Sequence, residues 1–202
     1  MKQRLKLGFL ASGNGSSAEA IVEAVRRGDL AAEPCLLVSN RKVAAALTWA
    51  RERGLQGRHI ATVPDADAGD AALAQAMLEA GVDLIVLSGY LRRLGPRTLA
   101  AFAGRIINIH PGPLPRFGGE GMYGRRVHEA VLAAGLSETA IVIHVVDGDY
   151  DRGPELARQG VPVMDGDTAE ALETRVKAAE PAFFVEALRR IAAGELELPH
   201  VG

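Results

Sequence analysis

The sequence is poor in the residues that would point outside a reducing, aqueous compartment. It has one cysteine, one tryptophan, three tyrosines and five phenylalanines in 202 residues. A single thiol excludes an intrachain disulfide and fits a reducing environment. Cys35 lies in the apolar run Cys35-Leu36-Leu37-Val38 and reads as a small buried hydrophobe. With 48% hydrophobic but only 4% aromatic residues, the core must be built mainly from Ala, Val, Leu and Ile. No apolar run approaches the roughly 20 residues of a membrane span, and there is no signal-peptide pattern. A soluble, cytoplasmic protein is expected. The net charge of −2 lacks the basic footprint of a nucleic-acid binder. Repeats, low-complexity segments and linkers are also missing, so residues 1–202 are expected to form a single domain.

What the chain has is alternation. Apolar strand-like runs at 5–10, 35–38, 57–63 and 83–87 are separated by helical spacing around 20–25, 44–53 and 70–80, with 65–71 as a loop. A helix over 96–102 leads to the apolar pair Ile106-Ile107, and another is expected over 127–134. This pattern predicts an α/β fold: a doubly wound, mostly parallel, Rossmann-like sheet with helices on both faces. Strands at 139–146 and 155–163 are joined by a short acidic loop, which lets them pair only as antiparallel neighbours. The sheet is therefore expected to be mixed at that end. Asp167-x-x-Glu170 reads as a capping box opening a helix. Pro181 should kink or restart it before 182–193, leaving 195–202 as a tail.

Four stretches carry candidate chemistry. Ala11-Ser12-Gly13-Asn14-Gly15-Ser16-Ser17 joins the first strand to a helix, a geometry that presents free N–H groups to an anion. Ser16 or Ser17 could also cap that helix. No Gly-Lys-Ser/Thr follows, which excludes a P-loop. Gly13-x-Gly15-x-x-Ala18 fits a relaxed dinucleotide fingerprint, but Val38-Ser39-Asn40-Arg41 supplies no acidic ribose partner. Arg41 could read a 2′-phosphate, so an NADP-binding module stays open as an alternative. Ser88-Gly89-Tyr90-Leu91-Arg92-Arg93-Leu94 could wall a flat apolar ligand with polar edges, or simply pack Leu91 and Leu94 into the core.

The third stretch, Asn108-Ile109-His110-Pro111-Gly112-Pro113-Leu114-Pro115, leaves a buried strand for a loop stiffened by three prolines. Its Asn and His stand at a strand's carboxyl end, where open α/β sheets hold ligands. In the fourth, Asp147, Asp149 and Asp151 recur at every second position, but the stretch is too short for an EF-hand loop and lacks its last-position glutamate, so no metal is expected. This loop leaves strand 139–146, expected to end at the same sheet edge as Asn108 and His110. Asp151 could then raise the pKa of His110 towards that of a useful base. His144, within a strand, reads as a satisfied core histidine, whereas His128 is placed to face a ligand. His59 and His200 have no motif around them.

Three of these segments resemble the formyl-folate transferases, and among them the phosphoribosylglycinamide formyltransferases. They are Ser12-Gly13-Asn14-Gly15-Ser16, Asn108-Ile109-His110-Pro111, and His144-Val145-Val146-Asp147 through Asp151-x-Gly153-Pro154. Order and approximate separations agree over nearly the whole chain. The resemblance implies 10-formyltetrahydrofolate as co-substrate, N1-(5-phosphoribosyl)glycinamide as acceptor in purine biosynthesis, no metal, and a monomer or homodimer. It implies phosphoribosyl contacts from Gly15, Ser16, Ser17 and Glu180, in an N-terminal phosphate-binding part. The C-terminal part would be catalytic and folate-binding, with Leu91, Arg92, Arg93, Leu94 and Asn108 at the folate. Asn108, His110 and Asp151 would be catalytic.

Acyl transfer to an amine develops an oxyanion, which needs a donor and a proton shuttle. Asn108 and protonated His110 would stabilise it while Asp151 tunes the histidine. The chain departs from the family at Gly112 and Pro113, where many relatives have Ser and Leu, and at Ser17, where many have Asn. It also has no counterpart in 65–70 to an arginine some relatives use near the folate tail, and it carries the insertion Gly119-Glu120-Gly121-Met122-Tyr123-Gly124. Length and charge favour this branch over methionyl-tRNA formyltransferase. Length likewise favours transfer over formyltetrahydrofolate deformylase, whose catalytic residues look alike.

Overall fold

The computed structural model describes residues 4–199, so His200 and the end of the expected tail lie outside it. The chain begins β1 (Leu5–Leu10), α1 (Ser16–Arg27), β2 (Ala32–Ser39), α2 (Ala45–Glu52), β3 (Gly57–His59) and α3 (Ala66–Glu79). It continues β4 (Leu84–Leu87), α4 (Pro96–Ala101), β5 (Ile106–His110), α5 (Arg125–Ala133), β6 (Glu138–Val145), β7 (Glu155–Pro162) and α6 (Ala169–Ala193). Strand β4, Leu-Ile-Val-Leu, is buried on both faces, as expected of a strand with parallel neighbours and helices above and below.

The seven strands form one sheet in the order β3-β2-β1-β4-β5-β6-β7. Strands β1 to β5 are parallel, whereas β6 pairs antiparallel with both β5 and β7. The strand order reverses between β1 and β4, a switch point at which the turns leaving two neighbouring strands diverge and open a crevice. On one face, residues such as Phe9, Leu37, Val86 and Ile107 pack against α1, α2 and the second half of α6. On the other, Leu10, Val38, Ile85 and Ile106 pack against α3 and its neighbours Leu94 and Phe102. A third cluster joins α5 to the first half of α6 over Ile141 and Val161.

Several boundaries differ from the sequence expectations. Strand β3 stops at His59, short of residue 63. Helix α3 starts inside the expected loop because the Asp65 carboxylate accepts from the Ala68 N–H and caps it. Helix α6 is capped by Thr168, which accepts from Ala171 N–H, and not by Asp167. Asp167 is engaged elsewhere, by Arg175 and the Met164 N–H. Pro181 does not divide α6, which runs uninterrupted for 25 residues. Leu172 and Val176 before it, and Phe184 and Leu188 after it, bury one continuous stripe on both sides of the proline. Cys35 is only half-buried.

The start of α4 is tied to α3 by Asp70. Its carboxylate accepts from the N–H groups of Arg97 and Thr98 and from the Thr98 hydroxyl, at 2.8, 3.1 and 2.6 Å. Removing that carboxylate strands buried donors, which typically costs about 1–3 kcal/mol. Asp70→Ala should therefore lower the urea-unfolding free energy by about that amount; an unchanged midpoint would mean that water replaces the carboxylate.

Candidate active site

The turn after β1 is held open by its neighbours. Gly15 precedes α1 with φ 64° and ψ 41°, the left-handed region that favours glycine. A Cβ there would also sit 3.2 Å from that of Ala11 and 3.3 Å from that of Ala46. No side chain caps α1, so the capping expected of Ser16 or Ser17 is not found. Instead the Ser88 hydroxyl, from the turn after β4, accepts from the Ala18 N–H at 3.0 Å. Among the described residues, the N–H groups of Ser16 and Ser17 have no hydrogen-bond acceptor. They form an anion-ready helix terminus. Ser12 ties this turn to its surroundings: its hydroxyl donates to Asn40 Oδ1 at 2.6 Å and accepts from Leu91 N–H at 2.8 Å. The indole of Trp49 donates to the Asn14 carbonyl at 2.7 Å.

The second half of the site follows from register. Asn108 and His110 alternate with Ile107 and Ile109 along β5, so both point to the face opposite α1 and α6. Asn108 lies directly across from His144 on β6, and His110 across from Val142. His144 therefore shares their face. That β6 runs antiparallel to β5 corrects the expectation about its end: Val145 lies beside Ile107, at the amino-terminal half of β5. The acidic loop does not leave the sheet at the edge where Asn108 and His110 stand. It folds back over the face instead. Gly153 makes this return possible, because any Cβ there would collide with the Val145 carbonyl.

The return carries Asp151 between two imidazoles. Its Oδ2 lies 3.5 Å from His110 Nδ1 and its Oδ1 3.4 Å from His144 Nε2, while the Gly119 N–H donates to Oδ2 at 3.1 Å. The Asp151 side chain is 12% exposed, and His110 and His144 are 3% and 2% exposed. Asp151 itself has φ 54°, a conformation that aspartate tolerates better than most residues. His144 is buried with both ring nitrogens in contact, as a satisfied core histidine would be, and it also lines the cavity beside Asp151. Its strand position was visible in the sequence, but its facing Asn108 depends on an antiparallel register that the sequence pattern does not reveal.

The carbonyls around the two rings fix where their protons sit. His110 Nε2 lies 2.7 Å from the Phe117 carbonyl and His144 Nδ1 lies 3.0 Å from the Val145 carbonyl. A carbonyl only accepts, so those nitrogens carry the protons. In the neutral rings the nitrogens facing Asp151 are then lone pairs. Burial lowers the His110 pKa, outweighing the opposing pull of Asp151. This reverses the direction expected from the carboxylate alone. Burial tends to raise the Asp151 pKa; once the rings carry a second proton, hydrogen bonding from His144 and the charge on His110, with the Gly119 N–H, outweigh it and bring the carboxylate below its ordinary value.

A cavity of about 80 Å³ opens beside this group. Asn108, His144, Asp151, Arg92, Arg93 and Leu94 help to line it, whereas Leu91 is 61% exposed and His110 stands behind the carboxylate. Arg93 crosses its mouth, donating to the Gly148 carbonyl and lying over the Tyr150 ring at 5.8 Å. Glu180 is half-buried on α6, between the turns that carry Val176 and Phe184, and burial pushes its pKa up to about 7. No hydrogen bond or ion pair among the described residues joins it to Gly15, Ser16 or Ser17. His128 is buried on α5 and its Nδ1 has no partner in the described residues; burial lowers its pKa. No group of three or more His, Cys, Asp or Glu among the described residues could hold a metal ion, and no described helix is long and apolar enough to cross a membrane.

This fold is that of a family. Residues 5–188 match the formyl transferase family, and the chain belongs to it. Within that family it is similar to a protein of Mycobacterium tuberculosis strain H37Rv named phosphoribosylglycinamide formyltransferase, 38% identical over 93% of this chain and 85% of the relative. The chloroplastic phosphoribosylglycinamide formyltransferase of Vigna unguiculata is 37% identical over 94% of this chain. This chain spans 61% of that plant relative's length. Among solved structures, glycinamide ribonucleotide transformylase 1 from Symbiobacterium toebii superposes with a TM-score of 0.88 at 35% identity, covering 97% of this chain and 91% of that one. A formyltetrahydrofolate deformylase from Pseudomonas syringae pv. tomato shares the fold, with a TM-score of 0.85 at 20% identity.

The buried, neutral His110 has a consequence for stability. Its folded pKa lies below the ordinary 6.5, so below that pH the unfolded chain binds more protons than the folded one. Stability should then fall as pH drops through that window, by up to about 1.4 kcal/mol per pH unit for this ring. In urea unfolding at pH 7.5 and 5.5, wild type should lose stability relative to His110→Gln; parallel changes would show that the ring is not kept neutral.

Proposed function

We propose that this protein transfers a formyl group from 10-formyltetrahydrofolate to the amine of N1-(5-phosphoribosyl)glycinamide, a step of purine biosynthesis. The observation that carries the reading is the Asp151 carboxylate, bracketed by two imidazoles on the cavity wall it shares with Asn108. Residues 1–202 act as one formyltransferase domain. Gly15, Ser16 and Ser17 receive the phosphoribosyl phosphate at the free helix terminus, with Glu180 contributing from α6. The acceptor is thereby held on the β1 side of the crevice, and the formyl donor enters between the 91–94 turn and the 147–151 loop. The cavity between these two loops holds about 80 Å³.

The amine attacks the formyl carbon, and the carbonyl oxygen becomes an oxyanion that an Asn108 N–H stabilises. The amine proton passes by way of Asp151 towards the folate nitrogen, which leaves as the tetrahedral intermediate collapses. His110 presents its unprotonated Nδ1 to Asp151 and acts through that carboxylate, taking the proton transiently and returning it. Leu91, Arg92, Arg93 and Leu94 border the folate.

The test is formyl-folate turnover by the purified protein, followed by absorbance with and without the glycinamide ribonucleotide. Turnover only with the amine is expected; turnover without it would make the protein a hydrolase, and none at all would refute both. Asp151→Asn and His110→Ala should each lower kcat by about 100-fold or more while leaving KM nearly unchanged. Near-normal kcat for Asp151→Asn would remove the proton-transfer role.

A further inference from the structure

His144 has no part in the proton path above, yet its contacts decide how the oxyanion donor is presented. The Val145 carbonyl holds the ring proton on Nδ1, so the neutral ring offers Nε2 as an acceptor. Asn108 Nδ2 lies 3.2 Å from that nitrogen, from the residue directly opposite on the neighbouring strand. A primary amide is nearly symmetric in shape: turning it over exchanges a donor for an acceptor with little steric effect. Only its partner can choose between the two orientations. In the flipped one, Asn108 Oδ1 would face the Nε2 lone pair and repel it. In the observed one, an N–H is held and the amide group has a defined place in the cavity wall.

We infer that His144 is a positioning residue for Asn108: its Nδ1–H tautomer, set by the Val145 carbonyl, locks the amide in the orientation that offers a donor to the oxyanion. The inference rests on Asn108 being that donor. Nε2 also lies 3.4 Å from Asp151 Oδ1. A second proton on the ring would turn Nε2 towards the carboxylate and deprive Asn108 of its acceptor. Asn108, by contrast, has no other side-chain partner among the described residues, so the lock has no substitute.

Two variants separate positioning from packing. Glutamine places a carbonyl oxygen near the position of Nε2, whereas leucine fills the volume and accepts nothing. His144→Leu should lower kcat by about 100-fold with KM for both substrates nearly unchanged, since the loss is one of orientation. His144→Gln should recover at least about ten-fold of that. In nuclear magnetic resonance spectra of the free protein, the Asn108 side-chain amide should show one N–H shifted by hydrogen bonding in wild type and His144→Gln, and not in His144→Leu. A folded His144→Leu protein with wild-type kcat or an unchanged Asn108 amide overturns the inference, as does a folded His144→Gln protein that has lost activity as far as leucine would take it. Should the leucine variant not fold, the glutamine variant decides: retained kcat and amide signal support the lock, and loss of either refutes it. Wild-type protein inactive in transfer would instead overturn the proposed function and with it the catalytic meaning of the lock.

Discussion

A carboxylate held away from water has to find partners that restore what solvation gave it. At Asp151 the standing donor is the Gly119 N–H from the proline-stiffened loop, while His110 of β5 and His144 of β6 become donors to it when their rings take a second proton. The rest of the site follows from that requirement. The 147–153 loop must fold back over the sheet to deliver the carboxylate, and both rings must turn a nitrogen towards it. Because the Phe117 and Val145 carbonyls already occupy the other two nitrogens, neither ring can change tautomer without breaking a second contact. The group is preorganised by backbone, and the two ring nitrogens facing the carboxylate leave it room for a proton.

The same logic of shared partners couples the two halves of the crevice. Ser12, from the turn after β1, donates to Asn40 and accepts from Leu91; Ser88, from the turn after β4, takes the Ala18 N–H of α1. Two serines thus exchange bonds across the switch point. The free helix terminus and the 91–94 turn cannot move apart without losing a buried or half-buried hydrogen bond. For a reaction between two bound substrates, fixing the relative position of their sites contributes directly to rate, since misplacement by an ångström is expensive.

Much of this was legible in the sequence, because periodicity and turn chemistry are local. The alternating strands and helices, the glycine-rich turn, and the Asn108–His110 strand end all follow from residue patterns within a few positions. What was not legible depends on competition or on register. Asp167 lost its capping role to Thr168 because Arg175, about two turns along α6, claimed the carboxylate. Ser16 and Ser17 lost theirs to Gly15 and to Ser88, a residue seventy positions away from Ala18 in the chain. His144 could be placed on a strand, but only the pairing of β6 with β5 decides which residue it faces. The sign of the His110 shift follows only from the fold, because a sequence shows the neighbouring charge and not the depth of burial that opposes it.

The mixed end of the sheet explains why the chemistry sits where it does. In an all-parallel sheet, each crossover lays a helix on a face, and both faces become covered core. Here the cluster under α3 includes Ile106 of β5 and no residue of β6. Because β6 and β7 are joined by a loop and not by a crossover helix, the face over β5 and β6 is left for that loop to cover. A loop can carry a carboxylate there, where a packed helix would bring an apolar stripe. The reversal of β6 also sets His144 opposite Asn108, so one topological change supplies both the carboxylate and the ring that orients the amide. The cost is that Asp151 must hold a left-handed backbone and Gly153 must lie against the Val145 carbonyl. Such constraints are tolerable only where the surrounding contacts over-determine them, and the three-sided grip on Asp151 is what does so.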